Sequence, residues 1–357
     1  MSHTCKQKIK RLIVSTANRL GLFDGYALLR ALKKSQVAIL MYHRVGTHQE
    51  YGITPVITPQ DFEKQIAYLC QRFEIMRLYE LVHCVQKKGG LSKKAVVITF
   101  DDGYKDNYIY AYPILKRYNV PATIFLTTGH IGTGNPFWWD KIAYIIKHAT
   151  QATLKVDELG VYHLGSSGSR LKAISEIVGG LKKLPQEKKE LLIEKLMTKV
   201  GVQLPANLGE DYILSWDDAR EMSGGSIAFG AHSVTHPILT KLSLRQAEHE
   251  IFQSKKDIEE KLNLTVTAFS YPNGKFGDFN GEIRRILRKS GFTCAVTAIP
   301  GMIVPGIDVY ELPRIMISRQ VNFSIFKAYL SGLYPDLRAI QSRMLARYTL
   351  TKRHPIV

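Results

Sequence analysis

Residues 95–104 read AVVITFDDGY. The first six are apolar or β-branched and carry no charge, which favours a strand over a helix. A strand apolar throughout is buried on both faces, as happens when helices cover a parallel sheet. Two adjacent carboxylates, Asp101 and Asp102, follow directly on this run with no obvious local partner. They are costly there unless something positive stands opposite.

Working outward, similar β-like runs occur at 37–42, 75–77, 122–126, 227–230, 266–269, 293–296 and 314–317. Helical patterns lie between most of them, including 60–72, 105–118, 244–262 and 281–290. Seven or eight such units, with no G-x-G-x-x-G after the first strand, predict a (β/α) barrel rather than an open doubly wound sheet. About 100 residues separate the strands at 122–126 and 227–230, far beyond an ordinary connection. They hold Phe137-Trp138-Trp139-Asp140, a Gly/Ser-rich bend and helical patterns at 170–184 and 186–200 split by Pro185. The expected organisation is a barrel over 37–335 with a largely helical insertion at about 134–215.

The 357 residues carry a formal charge of +18. Eight basic residues and one acid fall in 1–36, five basic residues and no acid in 338–357, so twelve of the eighteen net charges sit at the ends. The segment 1–36 reads as a basic amphipathic helix over 5–34, and 336–357 as a basic tail. Without a zinc-finger or RNP-type motif, nucleic acid is not the expected partner, and an anionic membrane surface is the better match. Cys5, Cys70, Cys84 and Cys294 show no C-x-x-C spacing, which fits a reducing compartment. No run approaches the roughly 18 apolar residues of a membrane span. The expected location is the cytoplasm, with peripheral contact at the inner face of the membrane.

A parallel barrel builds its site at the C-terminal ends of its strands. Asp101 and Asp102 stand at one such end. A second carries FGAHSVTHP at 229–237, where His232 and His236, four residues apart, can face one side of a turn. Two histidines and a carboxylate with an open position form a catalytic zinc-type set. A third strand end carries FSYPNG at 269–274, a tight turn able to present a backbone N–H to the pocket.

Taken in order, these motifs resemble the polysaccharide deacetylase family, the NodB-homology or family 4 carbohydrate esterases. T-F-D-D-G is present as Thr99 to Gly103 and H-[ST]-x-x-H as His232 to His236. The resemblance implies a distorted (β/α)7–8 barrel and metal-dependent removal of N-acetyl or O-acetyl groups from a carbohydrate, in surface polysaccharide or glycolipid biosynthesis. It also implies Asp101 as general base, and Asp102, His232 and His236 as ligands of a divalent metal, zinc by the donor set. A non-catalytic, metal-containing glycan-binding descendant is the alternative.

Where the family's third motif usually begins with Arg, this chain has Ser270-Tyr271-Pro272-Asn273-Gly274. Where an L-x-H is expected to supply the acid, it reads Leu312-Pro313-Arg314. Arg314 is the candidate to replace the missing Arg beside Asp101. His43, in Met41-Tyr42-His43-Arg44-Val45, and then His130 are candidates to protonate the leaving amine, and Asn273 joins the catalytic candidates. A branch of the family with S-Y-P third motifs, a leading M-Y-H-R-V and an F-W-W-D insertion is similar to this chain.

Overall fold

A computed structural model describes residues 36–46, 53–87 and 94–331, together with Thr16. The predicted N-terminal helix and the basic C-terminal tail lie outside the described residues. In chain order the elements begin with β1 (Gln36–Tyr42), β2 (Arg44–Val45), β3 (Val56–Ile57), α1 (Pro59–Arg72), β4 (Glu74–Ile75), α2 (Leu78–Gln86) and β5 (Lys94–Phe100). A π-helical turn (Asn107–Ala111) runs into α3 (Tyr112–Arg117) and leads to β6 (Ala122–Leu126). The long crossover holds α4 (Trp138–His148), β7 (Thr153–Val156), β8 (Gly160–His163), α5 (Ser167–Leu181), α6 (Gln186–Val200) and α7 (Trp216–Ser223). Next come β9 (Ile227–Ala231), a 3₁₀ turn (Leu239–Lys241), α8 (Leu244–Leu262), β10 (Ala268–Ser270), α9 (Gly281–Lys289), β11 (Cys294–Val296), β12 (Ile315–Met316) and α10 (Phe323–Leu330).

The run 95–100 is the spine of the sheet. β5 pairs along its whole length with β1, from Gln36 opposite Lys94 to Tyr42 opposite Phe100. The strand order is β11-β10-β9-β6-β5-β1-β12, all parallel, with β4 added to β5. All eight predicted strands are members of this sheet. Leu312 bridges to Val296, and three residues on Ile315 pairs with Leu40 of β1. The stretch 312–316 thus joins the two edges and bends the sheet into a distorted barrel, with no helix between β11 and β12.

Strand alternation sorts the core into two layers. Val37, Ile39, Ala95, Val97, Phe125, Ala268 and Val296 share one buried cluster. Ala38, Leu40, Val96 and Ile98 point the other way, into a larger cluster with Phe62, Ile66 and Leu69 of α1 and Ile251 and Ile258 of α8. The first set therefore faces the barrel interior. Continuing its parity along β5 leads through Thr99 to Asp101. The helices follow local rules: Thr58 caps α1 by accepting from the Asp61 N–H, and Ser243 and Gln246 form a reciprocal capping box on α8.

Two expectations need correction. The segment 105–118 is not one α-helix, since it opens with a π turn at Asn107, whose Nδ2 donates to the His43 carbonyl at 2.9 Å. The insertion is not helical throughout. β7 and β8 pair antiparallel, with Leu154, Val156 and Tyr162 buried and their neighbours exposed, an alternation too short to stand out between helical patterns. Among the described residues no helix is long and apolar enough to cross a membrane.

Candidate metal centre and catalytic cavity

Because Asp101 keeps the inward parity of β5, its carboxylate enters the barrel, where Arg314 meets it. Arg314 Nη1 donates to Oδ1 at 2.7 Å and Nη2 to Oδ2 at 2.6 Å, a bidentate pair with both residues buried. The guanidinium is held in turn by the Thr297 carbonyl at 2.8 Å, Ser270 Oγ at 2.9 Å and Thr99 Oγ1 at 3.1 Å. Burial pushes the Asp101 carboxyl up, but Arg314, His232 and His43 outweigh it and hold it at about 2. The sequence offers Arg314 as a partner for Asp101, and the two side chains do meet. The position of Arg314 just before β12, on the stretch that closes the barrel, places it there.

Asp102 breaks the alternation. Its φ of 77°, followed by 81° at Gly103, turns the carboxylate out of the strand direction. Only glycine fits after it, since a Cβ at Gly103 would lie 2.9 Å from both Ile131 and Leu126. Asp102 Oδ1 stands 3.5 Å from His232 Nε2 and 3.6 Å from His236 Nε2. It is buried without a hydrogen-bond partner. These separations are too long for hydrogen bonds. They match the edge of about 3.3–3.6 Å of a tetrahedron of ligands at about 2.0–2.2 Å from a cation.

The histidines are prepared for that role. His232 Nδ1 lies 2.7 Å from the Ser270 carbonyl, a bond that leaves Nε2 with its lone pair toward Asp102. His236, at φ 62°, is set by its N–H to Ser233 Oγ and by Trp139, 4.8 Å away ring to ring. Glu250 fastens the intervening turn by accepting from the N–H groups of Val234 and Thr235. Burial pushes Asp102 well up, with Asp101 and Asp140 adding to it, and burial drives both histidines down. Neutral imidazoles around an orphaned carboxylate oxygen fit a divalent cation. Asp102, His232 and His236 are also the one group of three such donors found together among the described residues.

A cavity of about 240 Å³ opens over this centre, lined by His43, Asp101, Asp102, Asn273 and Arg314 among others. All seven residues expected at the site therefore face one space. His43 Nδ1 is buried without a partner, and burial lowers the imidazole to about 4. His130 does not line the cavity: its Nδ1 lies 2.9 Å from the Asn135 carbonyl and its ring packs, tilted by 37°, against Phe137 at 4.4 Å. The 270–274 turn spends the Gly274 N–H on the Pro272 carbonyl, so that group is not offered to the pocket. Two lining groups escaped the sequence reading. Lys182, at the end of α5, donates to Asn273 Oδ1 at 3.3 Å, and Trp139 carries His236. The tryptophan stood in a quoted motif, whereas nothing distinguishes Lys182 from its neighbour Lys183 before folding.

The cavity thus combines three donors able to hold a metal ion, a carboxylate fixed beside them and an unpartnered imidazole, groups suited to a metal-assisted hydrolytic site. A family model described as polysaccharide deacetylase matches residues 88–295. YxkH of Bacillus subtilis (strain 168), provisionally assigned as a polysaccharide deacetylase, is 24% identical over 311 residues, covering 87% of this chain and 81% of that protein. The poly-beta-1,6-N-acetyl-D-glucosamine N-deacetylase of Staphylococcus aureus (strain MSSA476) is 41% identical over 80 residues, 22% of this chain and 27% of that enzyme. The deacetylase PplD of Streptococcus pyogenes, solved with acetate, superposes with a TM-score of 0.56 at 20% identity, over 84% of this chain and 99% of that one. IcaB from Ammonifex degensii gives 0.56 at 19%, over 84% and 98%. At such identities the two structures establish a shared fold.

Proposed function

The chain belongs to the polysaccharide deacetylase family, and from that premise we propose that it hydrolyses an N-acetyl group on a hexosamine of a glycan. The observation that carries this reading is the buried bidentate Arg314–Asp101 pair beside the Asp102, His232 and His236 donors. A module that only bound glycans would have no use for a fixed second carboxylate. The N-deacetylase named for the Staphylococcus aureus relative supports the amide over the ester.

Asp102, His232 and His236 would hold a divalent metal, zinc by the preference for two imidazoles and a carboxylate. Bound there, the metal supplies Lewis-acid polarisation of the acyl oxygen and a more acidic water. Asp101 receives the proton given up by the attacking water. Arg314 keeps Asp101 ionised and fixes both oxygens, so the base does not rotate away from its target. His43, unpartnered at Nδ1 and facing the same cavity, is assigned to pass a proton to the departing amine; burial keeps the free imidazole neutral, so the proton that Asp101 takes from the water is its source. Incubation with a panel of acetylated glycans, with acetate measured by mass spectrometry, tests the reading. Absence of acetate from every glycan, with metal bound, would reduce the protein to a binding module.

Attachment to an anionic membrane stays part of this proposal. Roughly 1 kcal/mol per basic residue near the surface is available to the charged ends. Co-sedimentation with liposomes that ignores anionic lipid would reject it.

A further inference from the structure

Beside the cavity over the metal centre lies a second, smaller one of about 50 Å³, and Lys182, His236 and Asn273 line both. Its walls bring together Lys182, Lys189 and Lys241, while Lys275 stands in the first cavity. Among the described residues none of these four lysines forms an ion pair; Lys182 Nζ donates to Asn273 Oδ1 and Lys241 Nζ to the Lys182 carbonyl, both neutral acceptors. The nearby Asp278 is committed to Asn273 Nδ2 and the Lys275 N–H, and Glu190 accepts from Gln186. Lys189 is only 8% exposed, yet no carboxylate pairs with it among the described residues, and its ammonium rests 4.7 Å over the Trp138 ring. Lysines that are this buried are normally paired.

We propose that these lysines form an anion subsite adjoining the metal centre, and that the sugar presented for deacetylation carries a carboxylate or a phosphate. The identity of the ligand as a sugar rests on the deacetylase reading; the subsite does not. A volume of about 50 Å³ holds roughly three to five waters, each needing about 10–15 Å³, which suits one carboxylate or phosphate group. Burial and the charges of Lys241 and Lys182 lower Lys189 to about 8, against the pull of Glu190, and a bound anion would reverse that repulsion. The lysines come from α5, α6 and the 3₁₀ turn after the histidine motif, so the insertion and the barrel build the subsite jointly.

Calorimetric titration of the metal-loaded, full-length protein with three sugars that differ only at C6 tests this. The probes are N-acetylglucosamine, N-acetylglucosaminuronic acid and N-acetylglucosamine 6-phosphate, with released acetate measured in the same samples. At least one acidic sugar should bind about 10-fold more tightly than the neutral one at low salt, and which one does so names the anion. In Lys189→Met the ratio should fall toward one with metal content unchanged. Lys241→Met, at an exposed position, should lower it too and serves if the buried substitution impairs folding. A ratio near one in the parent protein, no binding of either acidic sugar, or a ratio unchanged in both variants overturns the subsite. Acetate release with a ratio of one leaves the deacetylase reading standing, and a preserved ratio without acetate does the opposite.

Discussion

The two walls of the cavity treat charge in opposite ways. On the barrel wall Asp101 is locked to Arg314 through both oxygens, and Arg314 is itself held by Thr99, Ser270 and the Thr297 carbonyl. On the wall shared with the insertion, Lys182, Lys189 and Lys241 converge without an anion. A charge whose partners are built into the fold is rigid and serves chemistry; one left without an opposite charge in a recess is available to a ligand of that opposite charge. Asp102 belongs to the second kind although it adjoins Asp101, since its Oδ1 has no protein partner.

The largest effects should come from the unpaired carboxylate and its histidines. Asp102→Asn or His232→Ala should reduce bound metal to a small fraction of one ion per chain and bring acetate release to background. Elemental analysis showing full metal content in either variant would break the distinction between the two carboxylates. Asp101→Asn should keep its metal and lose about 10²- to 10⁴-fold in kcat. Survival of activity within a few-fold would move the base elsewhere, with His43 the first group to test.

Arg314→Gln sharpens the contrast through stability and pH. Leaving Asp101 buried and unpaired should destabilise the fold by roughly 3–5 kcal/mol, read as a fall in denaturation midpoint. Asp101 sits at about 2 in the folded chain, below its unfolded value of about 3.9. The pair's contribution is therefore complete above that unfolded value and fades as pH falls toward 2. With the guanidinium gone, burial is opposed only by His232 and His43 and raises the carboxyl, so the acid limb of kcat/KM should shift to higher pH. An unmoved limb would mean that Arg314 only supports the fold. The smallest effect is expected at His130, where substitution by Gln should change kcat by no more than about 2-fold, because its ring packs behind Phe137 rather than on the cavity. A loss comparable to that of His43→Gln would reopen the choice of acid.

Local pattern reveals the parts of this site and hides their arrangement. Apolar runs ending in Asp101 and in His232 are visible because strand burial and strand ends are written in neighbouring residues, and the parallel barrel follows from their repetition. The hairpin at β7 and β8 is not legible in the sequence because four-residue alternations carry little signal between helices. The second cavity is equally hidden, because nothing local marks Lys182, Lys189 or Lys241 among so many lysines.

By itself, then, the sequence determined the eight strands, the strand-end carboxylates and histidines, and the family those motifs imply, all of which depend on residues within a few positions of one another. Only the tertiary structure decided which charge answers which. Arg314 reaches Asp101 across 213 residues because barrel closure at 312–316 carries it there. A reversal of backbone sign at Asp102 separates it from its neighbour. Three lysines share one recess because the insertion folds back onto the histidine turn. Each is a consequence of packing between distant segments, on which local periodicity is silent.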